Sequence, residues 1–382
     1  MSEPLTVSVL GAGGFIGSRL VEWLILRDLA KVRPIVHTFR GMARLARFDL
    51  DCRVADALDQ VNLKAHLKGS DVLFHCIVGG RDTILKSAET AYVAAASAGV
   101  RRLVYLSSAV VHGHDPAPGT DDDSPLVARQ PFHYNISKVM AEQLLRRLRN
   151  DGAVEVVTLR PLIVFGPRST WWTAQIATDL LRGKAYLIDG GVGICNTVYV
   201  DNLVQAMWQA AISNEARNED FIITDGERIT WRDLYSSVAE AVGIDIATVP
   251  CVESDALPRI FREQRRARLR TAANRIAWAI RESLPPGVIS STRKILPSRI
   301  TKAIERQLKR PQAQGFEVLQ AKVGMQSLPT VDRELSSLQR CRYMLPIENA
   351  RKRLGYEPEV TFTEGCGRTR EWLRFAFGLS RE

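Results

Sequence analysis

Over the first 160 residues, short apolar runs alternate with amphipathic stretches of helical period, and no other feature of this chain restricts its fold as strongly. Val7 to Leu10, Arg33 to Thr38, Cys52 to Ala55, Val72 to Cys76, Leu103 to Ser107 and Val154 to Leu159 read as strands. Helix candidates lie between them, among them Phe15 to Arg27, Thr83 to Ala98 and Asn135 to Asn150. Strands separated by helices pair in parallel, because a parallel pair needs a long crossover. The expected class is α/β, a doubly wound parallel sheet. Its ligand crevice lies at the carboxyl ends of the strands. Gly11, Asp56, Cys76, Ser107 and Ser108 all stand at strand ends and therefore share one rim.

The first strand runs into GAGGFIGSRL, which places Gly11, Gly14 and Gly17 at a spacing of three where a helix begins. A glycine turn feeding a helix N-terminus points unpaired backbone N–H groups and a positive dipole end at one spot, which suits a pyrophosphate. Glycines also punctuate ordinary turns, so the spacing proposes a dinucleotide without settling it.

Composition narrows the remaining classes. At 382 residues the chain is long enough for two or three units. It contains no apolar run of about 18 residues, and Met1 to Thr6 leads directly into the first strand, so the expected location is the cytoplasm. Six cysteines lie far apart without a Cys-x-x-Cys pair and read as reduced thiols. His112, His114 and Asp115 are too isolated to propose a metal, and none is expected.

The stretch YNISK sets the Tyr134 phenol and the Lys138 ammonium four residues apart, on one face of a helix. A tyrosine in water keeps its proton to about pH 10, and a neighbouring cation favours the phenolate. Lys138 is the candidate cation. Ser107-Ser108 closes a strand at the same rim, where a hydroxyl can hold a substrate oxygen while the phenol exchanges a proton with it.

With these residues in place the chain resembles an extended short-chain dehydrogenase/reductase, the superfamily of nucleotide-sugar epimerases, dehydratases and reductases. The likeness covers roughly residues 5 to 250 and again 345 to 376. It implies a Rossmann-type sheet with a smaller C-terminal α/β substrate domain. It implies cofactor contacts from Gly11, Gly14, Phe15, Ile16 and Gly17, from Asp56 and Ala57 in VADAL near the adenine, from Cys76, and from Pro161 in RPLIVFGP near the nicotinamide. The segment LVYLSSAVVHG matches the catalytic-serine strand, with Ser108 immediately before the alanine, and Tyr134 and Lys138 take the Tyr-x-x-x-Lys positions. Ser108, Tyr134 and Lys138 are thereby the expected catalytic set, Lys138 also binding the nicotinamide ribose. A homodimer is the expected assembly.

Departures from the family pattern narrow the reaction. Ala109-Val110 stands where the 4,6-dehydratases carry Thr-Asp or Thr-Glu, so elimination of water is not expected. Only Val78 to Asp82 link the fourth strand to the next helix, and Ile84 replaces an asparagine frequent near that helix start. His112 replaces a frequent tyrosine and reads as a packing residue. The expected function is hydride transfer on a nucleotide-activated sugar, as oxidoreductase or epimerase, in surface-polysaccharide or glycolipid synthesis. The alternatives are a 3β-hydroxysteroid dehydrogenase-like enzyme or keto-reductase, and a non-catalytic NAD(P)-sensing scaffold.

Cofactor choice rests on the end of the second strand. No acidic residue stands between Asp28 and Asp49 to hold a ribose diol, whereas Arg40, with His37 or Arg44, offers a forked guanidinium to a 2′-phosphate. NADP is therefore favoured over NAD. The expected domains are 1–168 for the dinucleotide, with 196–225 returning to it, and 169–382 for the substrate, with a basic helical insertion at about 255–312. From Asp255 to Arg310 there are fifteen lysines and arginines against four acidic residues, while the whole chain carries +10. Leu269, Ala272, Ala273, Ile276, Ile280 and Leu284 follow a helical spacing there, and Ile300, Ala303, Ile304 and Leu308 repeat it. Such helices serve either as a flap packed on the substrate domain or a second subunit, or as a surface for an anionic membrane at the inner face. Phe261 and Trp278 are too few for stacking on nucleic acid.

Overall fold

A computed structural model describes residues 4–283 and 330–378, the stretch 273–283 as backbone only. Ten strands and seven helices precede residue 251. They are β1 (Thr6–Leu10), α1 (Phe15–Leu26), β2 (Lys31–Val36), β3 (Arg53–Val54), α2 (Gln60–Leu67), β4 (Val72–His75), α3 (Arg81–Ala98), β5 (Arg102–Leu106) and α4 (His133–Arg149). There follow β6 (Glu155–Pro161), β7 (Ile163–Phe165), α5 (Ile176–Leu181), β8 (Leu187–Ile188), β9 (Thr197–Tyr199), α6 (Val200–Ile212), β10 (Asp220–Ile223) and α7 (Trp231–Ala241). Seven strands form one parallel sheet in the order β10-β6-β5-β4-β1-β2-β3.

The alternation of side chains along a strand supplies both faces of that sheet. In β1, Val7 and Val9 enter one core and Leu10 the other; in β5, Val104 and Leu106 enter the first, Leu103 and Tyr105 the second. α1 and α6 cover the first face, while α2, α3 and α4 cover the second. Parallel register fixes the rim, with Leu10 opposite Ile35 on one side and His75 on the other, and His75 opposite Tyr105.

Local signals set the helix ends. Gly99 takes the left-handed conformation that closes α3, its N–H bonding back to Ala95 and Ala96. Thr230 and Asp233 cap each other's backbone at the start of α7. The helix expected over 171–182 is divided: a wide π turn at Thr170–Gln175 precedes α5. That turn seats Trp172 edge-on to Trp231 at 5.7 Å and leaves Trp171 72 % exposed.

The described chain groups into two compact units, Met1–Cys251 with Glu334–Glu382, and Val252–Arg333. Residues 169–251 pack with the sheet, and β10 completes it beside β6, where a return of 196–225 is expected. Beyond residue 333, the helices Glu348–Leu354 and Phe362–Ala376 flank the turn at Gly355. The second unit contains the long helix α8 (Leu257–Ser283). The second basic repeat, Ile300 to Leu308, lies outside the described residues.

Candidate active site

β1 ends at Leu10, and Gly11 turns the chain into α1 with φ +84°. Its N–H donates to Ile35 O at 3.0 Å, tying the turn to β2. A Cβ on Gly17 would stand 2.4 Å from Gly11 O, so the turn closes onto the first turn of α1 only because that position has no side chain. The α1 N-cap Gly14 offers no side-chain bond, and the first turn holds no acidic residue. Its leading amide groups and dipole are thus left for an anion. Phe15 and Ile16 pack half-buried against the core and anchor this end.

Beyond β2, Arg40 is exposed in the 3-10 turn Phe39–Arg44, and Gly41 lies directly against Gly13. The turn that carries Arg40 therefore abuts the glycine turn. After β3, the exposed Asp56 accepts from Leu58 N–H at 2.9 Å, while Ala57 is buried. Cys76 follows β4 half-buried, and burial raises its thiol to about 12. Pro161 is buried at the end of β6.

β5 delivers Ser107 and Ser108 to the same rim. Ser108 caps the 3-10 turn Ala109–His112, its Oγ accepting from Val110 N–H. α4 brings in Tyr134, half-buried, with its phenol beside Ser108. One turn further, Lys138 is 2 % exposed, with Nζ donating to Leu106 O at 2.7 Å. Nζ lies 5.9 Å from the Tyr134 ring centroid and 5.0 Å from that of Tyr105.

Burial pushes the Tyr134 phenol up to about 12; the neighbouring Ser108 hydroxyl lowers it and the Glu334 carboxylate raises it. Burial brings Lys138 down to about 8, against the upward pull of Glu142 and Cys76. The phenol is therefore not made acidic by its neighbouring amine in this arrangement, as YNISK alone suggests. Desolvation dominates, and the ammonium is turned toward Leu106 O. Lys138 pins the end of β5, the strand that carries both serines.

Sequence reading missed the layer behind this set. Glu142 pairs with Arg160 at 2.8 Å, both essentially unexposed. Arg160 also reaches Asp220 at 3.1 Å and Asp122 O at 2.7 Å. An arginine inside the apolar strand VVTLRP was the available signal, since a buried charge requires partners. His112 faces Arg160, His114 is 2.9 Å from Asn135 and stacks on Phe132, and Asp115 pairs with Arg342. The three turn to different partners. Among the described residues no group of three or more potential metal ligands converges.

The residues fit a nicotinamide dinucleotide. The close approach of Gly11 and Gly17 is a cradle that a Cβ would fill, and the buried Ser107 Oγ and Tyr105 hydroxyl have no protein partner among the described residues. An anion cradle heading α1, with phenol, ammonium and serine converging two strands away, defines an NAD(P)-dependent enzyme of the extended short-chain dehydrogenase type. The chain belongs to the NAD dependent epimerase/dehydratase family, whose model matches residues 7–224. It is 28% identical over 255 residues to a 4-hydroxy-2-methyl-3-oxo-4-farnesyl-3,4-dihydroquinoline-1-oxide ketoreductase of Stigmatella aurantiaca, covering 63% of this chain and 75% of that one. It is 25% identical over 263 residues to N-acetyl-alpha-D-glucosaminyl-diphospho-ditrans,octacis-undecaprenol 4-epimerase of Escherichia coli O157:H7, covering 64% and 74%. Among solved structures, the dTDP-glucose 4,6-dehydratase DesIV of Streptomyces venezuelae superposes with a TM-score of 0.68 at 20% identity, covering 98% of both chains. A UDP-glucose 4-epimerase of Thermotoga maritima gives 0.66 at 18%, covering 98% and 100%. These two likenesses concern the fold alone.

Proposed function

We propose that the protein oxidises or reduces a carbinol or ketone carbon of a nucleotide-activated sugar, as an oxidoreductase or epimerase, in the synthesis of surface polysaccharide or glycolipid. The observation that carries this reading is the placement of Ser108 beside the Tyr134 phenol at the rim that also holds the glycine turn. A nicotinamide held by the glycine turn would supply the hydride donor or acceptor. In the reducing direction Tyr134 gives its proton to the substrate oxygen as that oxygen gains negative charge, and Ser108 donates a hydrogen bond to the same atom. In the oxidising direction Tyr134 takes the proton back. In an epimerase Tyr134 would take and return the proton in turn, with Ser108 holding the same oxygen throughout.

A second reading, a reductase of a lipid-borne ketone, is favoured by the five-residue link between β4 and α3 and by the names of two relatives, which carry farnesyl and undecaprenol groups. The exposed Arg40 on the turn that abuts the glycine turn, with no acidic residue at the end of β2, favours NADP.

Turnover of NADPH and NADH with a panel of nucleotide sugars and prenylated ketones tests both readings. Tyr134→Phe is expected to lower kcat on the best substrate by about 10²–10⁴-fold. Parental turnover by this variant overturns the assignment. Arg40→Ala is expected to weaken NADPH by roughly tenfold and leave NADH unchanged, read by nucleotide fluorescence.

A further inference from the structure

Hydride transfer gives no role to α8. This helix carries eight arginines and two glutamates in 27 residues. Arg259, Arg262, Arg265, Arg266, Arg268 and Arg270 are all exposed. Arg259 reaches Glu263 only at 4.0 Å, and Arg262 Nε donates to Pro258 O. Arg265, Arg266, Arg268 and Arg270 have no ion pair among the described residues. Four free guanidiniums within six residues repel one another, so an anionic partner stabilises the helix wherever it meets one.

The identity of the partner follows from what lies between the charges. Leu269 is 60 % exposed amid the four arginines, and in sequence the apolar positions continue at helical spacing through Ala272, Ala273, Ile276 and Ile280, still within α8. Cations mixed with exposed aliphatic side chains match a lipid surface, where the aliphatic groups enter the acyl boundary and the guanidiniums meet phosphate headgroups. Single-stranded nucleic acid calls for stacking rings, and in the part of α8 whose side chains are described the one aromatic residue, Phe261, already lies under the Arg333 guanidinium at 4.9 Å. Among the described residues no helix is long and apolar enough to cross a membrane.

We propose that α8 is a docking helix for an anionic lipid surface. Because both units belong to one chain, docking concentrates the enzyme at that surface. The consequence for catalysis, access to a lipid-borne substrate, rests on the second reading above; the docking itself does not.

The test is flotation of the full chain with phosphatidylcholine vesicles, with and without phosphatidylglycerol, in low and high salt. The protein is expected to float with the anionic vesicles at low salt, to remain unbound with phosphatidylcholine alone, and to be released by high salt. The variant R265E/R266E/R268E/R270E is expected to lose vesicle binding by roughly a hundredfold or more while binding NAD(P)H as the parent does, which shows that it is folded. Absence of the parent from anionic vesicles, equal flotation of parent and variant, or retention on an oligonucleotide without vesicle binding each overturns the proposal. None of these readings uses turnover, so a failed catalytic assignment leaves the outcome interpretable.

Discussion

Burial governs the proton chemistry of Lys138. Four residues from Tyr134 on α4, it is fully buried, and its proton affinity falls because water no longer solvates the ammonium. The same burial acts on its neighbour His75, whose Nε2 lies 3.1 Å from Ser87 Oγ. Burial, reinforced by the Lys138 charge, takes the imidazole from 6.5 to about 3. Between those values the unfolded chain binds a proton that the native chain does not, so stability falls as the pH falls through this window. By pH 4 the loss from this residue is about 3 kcal/mol. His75→Leu is expected to lose that much less than the parent between pH 7 and pH 4, measured by urea titration at each pH; equal losses refute the assignment. Tyr134 and Lys138 were legible as a pair because YNISK sets them four apart on one helix, and Ser108 through the resemblance of LVYLSSAVVHG to a known serine strand. The Glu142–Arg160 pair was not, because its members lie 18 residues apart on different elements and meet only once α4 packs on the sheet.

Elements were readable where hydrophobic period and boundary residues agree. β1, α1, α3 and β5 sit within two residues of their expected limits at each end. α2 had no such agreement: of its eight residues only Leu63 and Leu67 are buried, and its start rests on the Asp59 carboxylate accepting from Asn62 N–H. α7 carries a local signal in its sequence, the Thr230-x-x-Asp233 capping pair, which the apolar period alone does not reveal. The junction of β1 and α1 offers the sharpest test at this scale. Gly17→Ala puts a methyl 2.4 Å from Gly11 O, a backbone atom that cannot swing aside. The turn must open, displacing the amide groups aimed at the pyrophosphate. Affinity for NAD(P)H is expected to fall by roughly tenfold or more, with a stability loss of about 1–3 kcal/mol. Fluorescence titration and thermal melting read the two effects separately, and unchanged affinity speaks against the turn as the cofactor cradle.

For the whole molecule, strand–helix alternation sufficed for the parallel sheet but not for the grouping of the later residues, which depends on contacts between distant segments. One such contact is Arg102 at the start of β5. Its guanidinium is 1 % exposed, donates to Ala210, Ala211 and Ser213 carbonyls at the end of α6, and pairs with Glu155 at 2.7 Å. It joins the sheet to a covering helix 108 residues away. Arg102→Ala strands a carboxylate and three helix-end carbonyls, and about 3–5 kcal/mol of stability is expected to go. The urea midpoint measures it, and a loss below about 1 kcal/mol would show that water replaces the guanidinium.

The strand order β10-β6-β5-β4-β1-β2-β3 also has a direction in time. A ribosome releases β1 first, then β2 and β3, which extend the sheet one way. β4, β5, β6 and β10 follow in the order in which they are added on the other flank. No finished pair has to separate to admit a latecomer. At each stage of synthesis the flank still growing is the one the next strand to emerge will cover, and exposure of a sticky border to other nascent chains is brief.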